Sequence, residues 1–242
     1  MRRLFIPSIL LVIVGLSLSL ITSGCASTPR TSSAPPPAPA SRFDERVRAD
    51  FFAGMTGDKA ALDRAMKTCE EALAAEPRHA EALVWHGAGL LVRAGDAFRQ
   101  GDRSTGMDLW QRGIAEEDRA VALAPNDVGV LIPRGAGYLA AAPYVSHEDT
   151  RRQLLSTGVA DFEKVLALQE SYFPHLSAHA RGQLLDGLAD GWTRLGDTTR
   201  AQAYDRRIVA ELAGTRYEAR AQARLAGRPD TDPAPCAGCH SR

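Results

Sequence analysis

The sequence predicts an all-α fold of paired helices, with coreless tails at both ends. Three observations predict it. Between Arg42 and Gly227, alanine, leucine, arginine and glutamate dominate, and β-branched residues, which lose rotamer freedom in helices, are sparse. Glycines and prolines fall mostly between apolar-periodic segments. No stretch alternates apolar and polar residues with the period of two that a half-buried strand needs.

Residues 1–24 read as an export signal. Met1-Arg2-Arg3 is a short basic start, Leu4 to Ile21 is an apolar run, and Thr22-Ser23-Gly24-Cys25 follows. Small residues before a lone cysteine resemble a bacterial lipobox, which implies cleavage before Cys25 and acylation of that residue. Thr22 stands where the pattern usually has leucine. The alternative is an ordinary secretory signal cut elsewhere. A transmembrane anchor fits less well, because a polar linker follows instead of a basic stop-transfer cluster. Several acyl chains on one residue anchor stably. Ala26, in place of aspartate, resembles the outer-membrane sorting signal. The expected location is therefore the bacterial outer membrane, facing the periplasm, with membrane contact through the lipid alone.

Residues 25–41 form the linker. Proline, serine and alanine without apolar periodicity cannot bury a core, so a largely polyproline II tether is expected. Its sixteen residues after Cys25 reach roughly 50 Å at about 3.1 Å each. Taking Arg2 and Arg3 from the 29 basic residues leaves 27 against 29 acidic ones, a net charge near −2. That balance argues against nucleic acid and against an electrostatic hold on anionic lipid.

Residues 42–227 carry the helices. Ala65, Cys69 and Ala72 share a helical stripe that ends at Pro77, and His79-Ala80-Glu81-Ala82-Leu83 opens the next helix. Ala120 to Ala124 closes another before Pro125-Asn126-Asp127. Gly196-Asp197 separates the last clear pair, whose second helix shows Ala201, Tyr204 and Ile208. The strings EEALAAEPRHAEALVWHGAGLLVRAGD and EDRAVALAPNDVGVLIPRGAGYLAAA resemble the seam of tetratricopeptide repeats, the 34-residue helix–turn–helix unit. In the first, Gly87 is the close-contact residue and Leu90 the core residue. In the second they are Gly135 and Tyr138. The resemblance spans about residues 46–213 and implies a divergent array of about four helix–turn–helix units stacked into a superhelix. Pro77 to Pro125 is 48 residues, so the second unit is enlarged, around Phe98 to Asp108. Pro133 falls early in a first helix, where it must sit in the first turn or bend the helix. Glu170 replaces the expected proline of the third unit.

Such an array implies a concave face built from the first helix of each pair, which receives a protein or peptide partner. By repeat position that groove includes Val84, Ala88, Leu91, Ile132, Ala136, Leu139, Asp186 and Asp190. Plain core packing of the apolar members, and solvation of the aspartates, is the alternative.

Catalytic signals are weak, and no enzyme is expected. No nucleophile elbow, phosphate-binding glycine loop or zinc-protease helix motif appears. Glu116-Glu117-Asp118 spreads its carboxylates over different helix faces and builds no acid–base pair. His86 beside Trp85 reads as a packed, hydrogen-bonded side chain, and Cys69 as a small buried one. His175 and His179 are four apart after Pro174, a spacing that suits a metal, but no third ligand is nearby.

Residues 228–242 read as a proline- and aspartate-rich flexible arm that ends in Cys236-Ala237-Gly238-Cys239-His240. This is the attachment signature of a c-type haem: each thiol adds to one vinyl group, and the histidine ligates iron. With 4 cysteines and 6 histidines in 242 residues, chance supplies only about 0.002 matches. Covalent haem c on Cys236, Cys239 and His240 is one reading; a disulfide and incidental or metal-binding thiols are the others. His179, His175 and Met107 are the chemical types available for a sixth ligand. No other cofactor is expected. Two functions compete: a non-enzymatic adaptor, and a monohaem electron carrier whose repeats dock the redox arm.

Overall fold

The computed structural model describes residues 42–228. The export signal, the linker and the Cys-x-x-Cys-His string, and with them Cys25, Cys236, Cys239 and His240, lie outside the described residues. Among the described residues are nine α-helices, two 3-10 turns and no strand.

The helices are α1 (Phe43–Met55), α2 (Lys59–Ala75), α3 (Ala80–Arg99), α4 (Arg103–Leu123), α5 (Val128–Ala141), α6 (Glu148–Gln169), α7 (Ala178–Leu195), α8 (Thr198–Glu211) and α9 (Arg216–Leu225). A recurrent dipeptide makes three of the turns. Gly57, Gly101 and Gly196 take positive φ, which glycine adopts without steric penalty. The aspartate that follows each then caps the next helix. Asp58, Asp102 and Asp197 accept from the backbone N–H of Ala61, Thr105 and Arg200, satisfying donors that a helix start leaves unpaired.

The chain packs as successive hairpins: α1 on α2, α3 on α4, α5 on α6, and α7 on α8, with α9 laid against α8. The first helix of one hairpin also touches the first of the next, α1 to α3, α3 to α5 and α5 to α7. Their apolar stripes merge into two clusters. One gathers Val47, Met66, Leu83 and Trp85 around α1 to α3; the other gathers Tyr138, Val159, Phe162, Leu185 and Ile208 around α5 to α8. The extra length around Phe98 to Asp108 falls in α3 and α4, whose connection is only three residues. Pro133 is the sixth residue of α5, past the first turn, so that helix gives up a backbone hydrogen bond there. After Glu170 the stop comes from the 3-10 turn Phe173–His175, which holds Pro174.

Candidate functional site

Close packing begins with glycine. A Cβ on Gly87 would lie 2.8 Å from the carbonyl oxygen of Gly113, and one on Gly113 would lie 2.9 Å from that of Gly87. The next hairpin repeats the contact: a Cβ on Gly158 would lie 2.9 Å from the Gly135 carbonyl oxygen, with Leu139 beside it as Leu91 is beside Gly113. The sequences behind these contacts match. GAGLL at 87–91 answers GAGYL at 135–139, and GIAEEDRAVAL at 113–123 answers GVADFEKVLAL at 158–168.

This correspondence fixes a polar cluster between α3 and α6. His86 and Arg134 hold the same place in the two hairpins, and so do Glu116 and Asp161. Nδ1 of His86 lies 2.5 Å from Oε2 of Glu116, with Glu70 at 3.7 Å from Nε2. Nε and Nη2 of Arg134 donate to the two carboxylate oxygens of Asp161, both at 2.7 Å. Its Nη1 donates to Asp118 at 3.0 Å, which also accepts from the Tyr138 hydroxyl at 3.1 Å. Burial raises Asp161 above its ordinary range, against the stabilising pull of Arg134. Between Glu116 and Asp118, Glu117 is completely buried. The three consecutive carboxylates thus meet three different surroundings.

The eight residues expected to line a groove divide. Val84, Ala88, Leu139 and Asp186 are buried, the first three in apolar packing. Asp186 accepts from Arg220 at 2.6 Å and Arg224 at 2.8 Å, both on α9. Leu91 and Ala136 are half-buried, and Asp190 accepts from Arg194 at 3.0 Å. Ile132 is 40% exposed. With Ala136 and Ala140 it makes a line at i, i+4 spacing along α5, and Tyr144, 90% exposed, follows in the 3-10 turn Ala142–Tyr144. Ala140 escaped sequence reading, although the same spacing points to it.

No match to this chain is found among protein-family models, curated proteins or solved structures. His175 lies in the 3-10 turn and His179 in the first turn of α7, with Ser177 capping the helix between them. The two are not successive positions on one helix, as their spacing suggests. Nδ1 of His179 lies 3.0 Å from the Tyr217 hydroxyl. Met107 is exposed on α4. Among the described residues no group of three histidine, cysteine or acidic side chains is placed to hold a metal ion, and no helix is long and apolar enough to cross a membrane. Burial pushes the Cys69 thiol up to about 12, so it stays protonated near neutrality. A cleft of about 370 Å³ between α6 and α7 includes Glu163 and Trp192. Glu163 already accepts from the indole N–H at 3.1 Å, and Arg200 stacks over the ring at 4.2 Å.

Proposed function

We propose that this chain is a lipid-anchored, periplasm-facing adaptor of the tetratricopeptide-repeat type, which holds a protein or peptide partner and catalyses no reaction. The observation that carries the reading is the repeated contact. Two successive hairpins, 48 residues apart from Gly87 to Gly135, use the same glycine pair and the same neighbouring leucine. An array of this kind buries each apolar stripe only against its neighbours and leaves its first helices to receive ligands. The line Ile132, Ala136 and Ala140 on α5, with exposed Tyr144 in the turn beyond it, supports a partner with a matching apolar stripe. Acylation of Cys25 would hold the protein at the outer membrane.

The Cys236, Cys239 and His240 string favours a second reading, a monohaem electron carrier docked by its repeats. In that reading Cys236 and Cys239 hold haem c through thioether bonds and His240 ligates the iron. The haem would supply one-electron transfer when bound.

Affinity capture from native outer membranes tests the adaptor. A partner retained by wild type and lost with Ile132→Glu, at unchanged helix content, supports it. Equal capture by both proteins overturns α5 as the partner face.

A further inference from the structure

Glu117 is the described residue whose placement packing explains least. It is 0% exposed, and neither carboxyl oxygen has a hydrogen-bond partner. Its Cγ is 2.9 Å from where a Cβ on Gly87 would stand, and its Oε1 is 3.6 Å from where one on Gly137 would stand. Glycines on α3 and α5 therefore flank the slot it fills. In the following hairpin the corresponding slot holds Phe162, packed within 3 Å of where side chains on Gly135 and Gly187 would begin. A carboxyl in a phenylalanine's place is costly unless it keeps its proton.

The charged groups around it are already engaged. Glu116 and Asp118 flank it on α4; His86 approaches from α3, Arg134 and Tyr138 from α5, and Asp161 from α6. His86 is taken by Glu116, with Glu70 of α2 beyond it. Arg134, the cation that acts on Glu117, is committed to Asp161 on two nitrogens and to Asp118 on a third.

We propose that Glu117 is a proton-operated latch on the junction of α3, α4 and α5: its neutral carboxyl closes the slot, and release of the proton to solvent draws Arg134 away from Asp161 and Asp118 and loosens the junction. The latch acts whatever the chain binds. Burial is the main influence holding this carboxyl well above its ordinary 4.5; Arg134 opposes that, and Asp118, Asp161 and Glu116 add to it. The folded chain thus holds the proton more tightly than the unfolded one. The stability contributed by neutral Glu117 is complete below 4.5 and is lost as pH rises toward the folded value. Burial raises Asp161 and Glu81 as well, so only variants at position 117 isolate the latch.

Hydrogen exchange on the full chain, corrected for the intrinsic effect of pH, is the test. Between about pH 5 and about pH 9, α4 and α5 are expected to lose about tenfold more protection than α7 and α8. Glu117→Gln is expected to abolish that difference. Glu117→Leu does the same without a buried amide, which covers the case in which glutamine unfolds the chain. A difference that persists in a folded variant, or a wild type whose α4 and α5 stay protected throughout, overturns the proposal.

Discussion

Gly87 and Gly113 face each other across α3 and α4 so closely that a methyl group on either would come within 3 Å of the other's carbonyl oxygen. The obstacle on both sides is backbone, which cannot rotate aside as a side chain does. The spacing of the two helices is thereby fixed by the absence of two Cβ atoms.

Gly87→Leu is expected to cost about 1–3 kcal/mol through overpacking. Gly137→Ala is the contrast: its new methyl meets only Glu117 Oε1, at 3.6 Å. Helix propensity then favours alanine by about 1 kcal/mol. Thermal melts should move in opposite directions. An unchanged midpoint for Gly87→Leu contradicts the contact.

Asp186 is 1% exposed and carries Arg220 and Arg224. Asp186→Ala removes a buried carboxylate from Arg220 and Arg224, of which Arg224 keeps Asp205, and the expected loss is about 3 kcal/mol. Exchange protection in α9 should fall furthest. Chemical denaturation gives the magnitude, and peptide-level exchange gives the place.

Cys25→Ala is expected to release the protein from the membrane pellet or leave the precursor unprocessed. Fractionation and migration identical to wild type contradict the lipid anchor.

Intact mass decides the chemistry of Cys236 and Cys239. Haem adds about 616 Da, a quantity set by the cofactor. Protein made with working c-type maturation should carry it, with a Soret band that survives acid–acetone extraction. A bare mass, or about 2 Da less for a disulfide, removes the haem reading.

The helices were legible because their stripes recur every three to four residues and end at glycine or proline. Gly87 and Gly135 stood out inside a repeated GAG string. Their partners Gly113 and Gly158 did not, since a lone glycine in a helix has the same appearance whether or not a backbone passes over it. The Glu116-Glu117-Asp118 run gives no sign in its own letters that the middle residue is enclosed. Alignment with Ala160-Asp161-Phe162-Glu163 does give one, because phenylalanine marks a buried place. Asp186 reads as a groove residue until α9, more than thirty residues on, supplies its arginines. For His175 and His179 the intervening Ser177 restarts the helix, a change of direction that spacing alone does not report.

The pairing of α9 with Asp186 and Asp205 also bears on assembly. A stack of hairpins would end in an apolar surface on which another hairpin could sit, unless a capping element with a polar outer face covers it. Here Tyr217 and Ala221 of α9 are buried, while Arg224 reaches both aspartates. A second copy seeking to join the array end to end would first have to peel this helix away and leave two carboxylates stranded in its core. Among the described residues, α9 is the cap on the last hairpin.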